Sequence, residues 1–413
     1  MPDPRHPRSL PPALARGLTR ARVNRRSMLK LTGLGAAGLA LSGCGIGGEG
    51  ASGVDADDFW ADKEETGHLR FANWPLYMDP DRTPLRKFTD ATGITVDYHE
   101  DINENSSFAG EIQPRLANGD PIGYDLMVLT NGIELARFIA LNYLAPLDHD
   151  RLPNFARHAG PSYKDPAFDP GNTYTVPYAS GITGIAYNPD FVDREITSIA
   201  DLWDPAFEGK VGMLADAQEI ANFGLLANGV SPAESTEDDW EAAAGKLKEQ
   251  RDAGIVRAYY EQDFIQPLTN GDVWLAMAWS GDIFQQNAEE GTNLKFVVPD
   301  EGATLWTDSL MLPLTSEAPV DAIQLMDFLF RPEIAADLTE YIGYVPPVPE
   351  TEQLLADRAA EASGADREYL AELAGSPLVF PTEEDYAKLH SYVTLEPGEE
   401  DGFLSTFQAI TQS

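Results

Sequence analysis

The chain has 413 residues, 43% of them hydrophobic, and carries 67 Asp and Glu against 29 Lys and Arg, a formal charge of −38. An acidic excess of that size argues against nucleic acid as a partner, because phosphate binding needs clustered Lys and Arg, and against adsorption of the folded chain to an anionic lipid surface. One cysteine leaves no internal disulfide and no thiolate-rich metal centre, and most of the acids read as a solvated surface.

The head of the chain inverts this balance. Residues 1–43 contain Arg5, Arg8, Arg16, Arg20, Arg22, Arg25, Arg26 and Lys30 against Asp3, and removing that net +7 leaves −45 on the rest. The basic stretch, the mild apolar run from Leu31 to Leu41 and the small residues after it make an export signal. The paired Arg25 and Arg26 before Met28, Leu29 and Lys30 resemble the twin-arginine motif, and "LSGC" (41–44) resembles the lipobox of bacterial lipoproteins. That resemblance implies a lipid on Cys44, whose thiol is then an anchor. The apolar run falls short of the ~20 residues that span a bilayer, so the chain is expected to be anchored and not threaded. Gly33, Gly35 and Gly38 fit G-x-G-x-x-G, but the export signal occupies the places where that fingerprint needs a strand and a helix. From Gly45 to Asp58 the sequence is rich in Gly, Ser and Asp and cannot bury apolar area. A tether over 44–66 is therefore expected, with ordered sequence from near Leu69.

Beyond the tether, short apolar strands alternate with amphipathic helices. "HLRFANW" reads as a strand, "RTPLRKFTDAT" as a helix with Leu85, Phe88 and Ala91 on one face, and "GITVDYHE" and "YDLMVLT" as strands around a helical stretch near Ile112–Leu116. "GIELARFIALNYLAPLD" reads as a helix and "TYTVPYASGITGIAYNP" as a pair of strands. A second α/β segment has a strand "GKVGMLAD", a helix "AQEIANFGLLANG" with Gly229 as its C-cap, a helix "DWEAAAGKLKEQRD", and buried strands "DVWLAMAWS" and "LKFVVPD". "LWTDSLMLP" reads as a crossing strand before the helices "PVDAIQLMDFLF" and "PEIAADLTEYIG". This is βαβ grammar with a parallel or mixed sheet. Two α/β lobes joined by more than one crossing strand fit a ligand cleft between them.

No constellation for covalent chemistry emerges. The six histidines (His6, His68, His99, His149, His158, His390) are scattered, with no H-x-x-x-H, no G-x-S-x-G elbow and no phosphate loop. Carboxylates are too abundant for an acid pair to specify a hydrolase. No cofactor and no metal are expected.

A more informative pattern sets aromatics beside acids at strand ends and helix starts. "ANWPLYMD" carries Trp74 and Tyr77, "LADAQE" carries Asp216 and Glu219, "AWSGD" carries Trp279 and Asp282, "LWTDS" carries Trp306 and Asp308, and "IGYVPP" carries Tyr344. An indole face attracts a cation by ~0.5–2 kcal/mol, and a carboxylate holds an ammonium through charge-assisted hydrogen bonds. Such a set suits alkyl segments between amines. The alternatives stay open residue by residue: each Trp also suits a core, and Glu219 also suits a helix's first turn.

At these residues the chain resembles the extracytoplasmic spermidine/putrescine-binding proteins of ABC transporters. "FANWPLYM", "YDLMVLT", "SIADLWDPAFEGKVGMLADAQE", "NGDVWLAMAWSGD", "LWTDSLMLP" and "FLFRPEIAADLTEYIGY" match that family's motifs in order and spacing, over roughly residues 68–350. The resemblance implies a two-lobed, type II periplasmic-binding-protein-like α/β fold, with lobes over 67–179 plus 306–350 and over 180–305 plus 351–413. It implies Trp74, Tyr77, Trp279 and Trp306 as walls around an alkyl chain, and Asp216, Glu219 and Asp308 as amine ligands. Asp282 matches an acid of putrescine-type members, and Tyr344 a tyrosine at the far end of the site.

The chain also departs from the family. Thr130, Asn131 and Gly132 stand where members carry Ser followed soon by an aromatic, which removes one wall while Thr130 keeps a hydroxyl. Pro75 replaces a hydroxyl residue, and Glu261 and Gln262 replace a serine stretch and add an acid.

The implied protein is a monomeric, lipid-anchored binding protein, extracytoplasmic, that passes a polyamine to an ABC permease and its ATPase. Competing readings are the same fold with another organic cation or a sugar, a surface hydrolase with an acid pair, and a lipoprotein that senses a polyamine without transport.

Overall fold

The computed structural model describes residues 54–411 except 103, 262, 394, 396 and 397. The export signal, the glycine fingerprint at 33–38 and Cys44 lie outside the described residues. In chain order the elements are α1 (Ala56–Trp60), β1 (His68–Ala72), α2 (Thr83–Thr92), β2 (Thr95–His99), α3 (Asn105–Asn118), β3 (Leu126–Thr130), α4 (Ile133–Ala140) and α5 (Pro153–His158). Then come β4 (Thr175–Tyr187), β5 (Val211–Leu214), α6 (Ala217–Ala227), α7 (Glu237–Asp252), β6 (Val256–Tyr260), α8 (Ile265–Asn270), β7 (Leu275–Trp279) and α9 (Ser280–Glu290). The chain closes with β8 (Lys295–Val297), β9 (Ala303–Met311), α10 (Pro319–Leu329), α11 (Pro332–Ile342), α12 (Thr351–Glu361), α13 (Ala365–Ala374), α14 (Glu383–Tyr386), β10 (Leu389–His390) and α15 (Glu400–Thr411).

All ten strands form one mixed sheet in the order β2-β1-β3-β9-β4-β7-β5-β6, with β10 beside β9 and β8 beside β4. The outer strands are parallel on both sides, β2, β1 and β3 at one end and β7, β5 and β6 at the other. Between them β4 and β9 run antiparallel and bind both halves. One end of β4 faces β9 from Thr175↔Met311 onward, and its other end pairs with β7 from Thr183↔Trp279 to Tyr187↔Leu275. Separate apolar cores back the two halves, one around Phe71, Phe88, Leu310 and Phe330, the other around Met213, Phe223, Leu247 and Phe403. The two-lobed α/β architecture with crossing strands follows from this register.

The structure corrects several sequence expectations. Residues 173–189 hold one thirteen-residue strand, β4, where a pair was expected. Gly181, inside that strand, makes room for the Trp306 indole, since a Cβ there would sit 2.1 Å from a ring carbon. Strand β8 is a partly exposed edge of three residues, not a buried strand. Asn228 caps α6, and Gly229 is the left-handed residue after it. Strand β6 was not foreseen.

The tether expected to reach residue 66 ends earlier. Asp55 caps α1, whose Phe59 and Trp60 are buried, and the Trp60 indole donates to the Pro146 carbonyl at 2.8 Å. Asp321 of α10, fully buried, accepts from the Thr66 and Gly67 amides, each at 2.8 Å, and from the Thr66 hydroxyl at 3.0 Å. Polar composition concealed two aromatic anchors and a remote carboxylate. Asp321→Ala strands two backbone donors and is expected to cost about 2–3 kcal/mol, measured by urea unfolding, with new proteolytic cleavage between residues 54 and 67.

Candidate functional site

Parallel strands release their carboxyl ends toward the crossing region, the place where open α/β sheets hold ligands. Past β1 lie Trp74 and Tyr77; at the end of β3 lies Thr130; past β5 lies Asp216, the N-cap of α6; at the end of β7 lies Trp279, with Asp282 in the first turn of α9. Strand β9 contributes Trp306 and Asp308 from the middle of the sheet. Tyr344 follows α11.

Asp308 is opposite Thr130 in the β3–β9 ladder and opposite Ala179 in the β4–β9 ladder. Its carboxylate, 5% exposed, accepts from the Thr130 hydroxyl at 2.6 Å and the Tyr77 hydroxyl at 2.7 Å. Loss of water dominates these two bonds and pushes its pKa up to about 6. Tyr77 stacks edge-on against Tyr344, ring centres 5.9 Å apart, and Tyr344 leans on Trp306 at 5.3 Å. The Tyr344 hydroxyl donates to Asp282 at 3.0 Å. Tyr178 supports the set from behind, its hydroxyl donating to the Tyr77 carbonyl at 2.7 Å.

From Trp306 the network continues to a second acid. The Trp306 indole donates to the Thr183 hydroxyl at 3.1 Å, and that hydroxyl donates to Glu219 Oε1 at 2.7 Å. The same oxygen accepts from the Trp279 indole at 3.2 Å and the Tyr392 hydroxyl at 2.9 Å. The other oxygen, Oε2, is buried with no hydrogen-bond partner. Glu219 is 2% exposed, and desolvation first, then the neighbouring Asp216 charge, push its pKa up to about 7. Asp216 caps α6 by accepting from the Gln218 and Glu219 amides at 2.8 and 3.0 Å. Its side chain is open to solvent, so the surrounding protein and the charges of Glu134 and Glu104 raise its pKa less than they would a dry carboxylate.

Nine of the ten sequence-predicted ligand residues thus fall in one connected cluster. Trp74 is the exception: it is partly buried in the same loop as Tyr77, with its indole nitrogen unpartnered. Glu261 is exposed past the end of β6. Sequence reasoning missed Thr183, which lies mid-strand with no motif around it, and Tyr392, which comes from a tail with no recognisable pattern. A small internal void ringed by Pro177, Leu310, Phe330 and Ile342 has no carboxylate in its lining and belongs to the core. Among the described residues no Lys or Arg pairs with Asp216, Glu219 or Asp308. No group of three His, Cys, Asp or Glu there is arranged to hold a metal.

Two α/β lobes, crossing strands and a polar cluster where the strands emerge define a type II extracytoplasmic binding-protein fold. The chain belongs to the bacterial extracellular solute-binding protein family, whose model matches residues 85–364. It is 32% identical over 302 residues to the spermidine/putrescine-binding periplasmic protein of Escherichia coli, covering 73% of this chain and 83% of that one. It is 29% identical over 344 residues to the putrescine-binding periplasmic protein SpuD of Pseudomonas aeruginosa, covering 79% of this chain and 87% of that one. In fold it matches the spermidine/putrescine ABC transporter substrate-binding protein PotD of Streptococcus pneumoniae with a TM-score of 0.69 at 24% identity, covering 83% of this chain and 98% of that one. Among the described residues no helix is long and apolar enough to cross a membrane.

The raised carboxyl pKa values set a pH dependence for the unliganded protein. Glu219 and Asp308 bind protons more tightly folded than unfolded, so their contribution to stability is highest below pH 4 and falls as pH rises through 6 and 7. Glu219→Gln keeps the hydrogen-bond acceptor without the charge. Its stability relative to the parent chain is expected to climb by on the order of 2 kcal/mol between pH 4 and pH 8, measured by urea unfolding without ligand.

Proposed function

We propose that this protein captures a polyamine in the cleft between its lobes and delivers it to an ABC permease and its ATPase. The observation that carries the reading is the pair of buried acids, Asp308 and Glu219, with no cationic partner among the described residues and with Glu219 Oε2 unsatisfied. Ammonium groups supply the missing charge and donors. Trp74, Trp279, Trp306, Tyr77 and Tyr344 then face the methylene segments, which are apolar and gain from aromatic cover. Asp216 and Asp282 offer further carboxylates, and Thr130 fixes the Asp308 end. The polyamine specificities in the names of the E. coli and P. aeruginosa relatives support the same class of ligand. Binding and hinge closure complete the task, with no covalent step.

We take 67–179 with 306–350 as one lobe and 180–305 with 351–413 as the other. Packing of α15 on α6 and α7 supports the second assignment. The α12–α13 pair touches both α11 and Phe284 of α9 and straddles the division. We read the signal-like head and Cys44 as marks of a lipid-anchored protein, in the periplasm or on the outer face of the cytoplasmic membrane, and take it to act as a monomer.

The test is calorimetric titration of a chain spanning 45–413 with putrescine, spermidine, spermine and maltose, at low and high salt. Micromolar affinity, about 8 kcal/mol, is expected for at least one amine at one-to-one stoichiometry, surviving salt and lost in Asp308→Asn and Glu219→Gln. Weak multisite heat that salt abolishes would assign the effect to the acidic exterior and reject the proposal. Because an ammonium favours the ionised carboxylates, affinity should rise from pH 5 to pH 8 and binding near pH 6.5 should release protons. Titration in buffers of different ionisation enthalpy reads that release, which should shrink in Glu219→Gln.

A further inference from the structure

The turn from β3 into α4, Thr130–Asn131–Gly132–Ile133, touches two distant parts of the protein. Thr130 holds Asp308, and Asn131 is locked to β9: its amide donates to the Thr307 carbonyl at 2.8 Å, and the Thr307 amide donates to its Oδ1 at 2.7 Å. The next two residues reach a different part of the protein. The Ile133 amide donates to Gln218 Oε1 at 3.0 Å in a buried bond. Gly132 has φ 140°, and a Cβ on it would sit 2.5 Å from that same oxygen. The Ile133 side chain packs in the core containing α6, while Leu135 and Phe138, its neighbours on α4, pack in a separate core with β3.

Gln218 lies between Asp216 and Glu219 in α6, so one glutamine joins the Glu219 end of the cluster to the turn that holds Asp308. A side chain at position 132 would expel its carboxamide.

We propose that Gln218 and the Asn131–Gly132–Ile133 turn form a latch across the cleft that favours the closed form and slows ligand release. The latch rests on the proposed function, in which the cleft closes on its ligand. It consists of one buried hydrogen bond to a backbone donor, backed by the carboxamide filling the space over Gly132. Both are made only when the turn after β3 and the start of α6 meet. Opening must break that bond and expose the Ile133 side chain, so the latch acts on dissociation more than on capture.

The chain spanning 45–413 has no cysteine, so spin labels at Asp90→Cys on α2 and Glu241→Cys on α7, both exposed, report the separation of the two halves. Gln218→Met, which keeps the length and removes the acceptor, is expected to shift the unliganded distance distribution toward longer values. It should also speed spermidine release roughly tenfold in stopped flow. Gln218→Glu retains an acceptor oxygen and should keep the short distances. Gly132→Ala should open the molecule as Gln218→Met does, with Gln218 intact. Indistinguishable distance distributions for the parent, Gln218→Met and Gly132→Ala would overturn the latch. Failure of every amine to bind would instead reject the polyamine reading, while the unliganded distances would still decide the latch.

Discussion

Two carboxylates, Asp308 in the middle of the sheet and Glu219 at the start of α6, are held out of water with no lysine or arginine paired to them among the described residues, and the surrounding strands and rings are arranged to bear that charge. An isolated ion in a dry interior is among the costliest features a fold can carry. Here the cost is reduced by neutral donors: two hydroxyls on Asp308, and a threonine, an indole and a phenol converging on a single oxygen of Glu219. All of these stabilise the ionised form, yet desolvation still wins at both acids, and the protein is left with acidic groups that favour a cation from outside.

This arrangement depends on β4 and β9. Because they run antiparallel through both halves, Asp308, Trp306 and Thr183 occupy neighbouring registers in the middle of the sheet, while parallel strands on either side deliver Thr130 and Trp279 to the same level. Aromatic packing sets the rings against one another, Tyr77 on Tyr344 and Tyr344 on Trp306, with no ligand present. Preorganisation of this kind lowers the ordering cost of binding. Gly181 is part of it: the absence of a side chain there lets the Trp306 indole approach the strand closely.

Much of the fold, and the clustering of most of the candidate site residues, was legible in the sequence, for a physical reason. Strand ends are marked by the switch from alternating apolar residues to helix-starting ones, and the acids and aromatics of the site occupy those switches, as in "AWSGD" and "LADAQE". What stayed hidden lacked that local mark. Thr183 and Gly181 lie inside a long strand whose glycines and serine look like a turn, because the reason for them is the remote Trp306. Tyr392 reaches Glu219 from 173 positions away along the chain, and no periodicity encodes that distance. The buried Phe59 and Trp60 were masked by the acidic, glycine-rich residues before them. In each case the missing information was a tertiary partner.

The two populations of acid in this molecule do different work. Most of the 67 acidic residues add to a net charge that draws any polycation from solution, an attraction that raises encounter rates and is screened beyond a Debye length of about 8 Å at physiological salt. The interior acids are few, dry and held by named donors, so salt screens them little. In the proposed function they take an ammonium within hydrogen-bonding reach, and the rings between them take the hydrocarbon between ammoniums. On the proposed reading a sugar is disfavoured by charge, because its neutral hydroxyls leave the buried carboxylates uncompensated. The proposal thus assigns discrimination to a handful of residues around the crossing of β4 and β9, and the rate of encounter to the exterior charge.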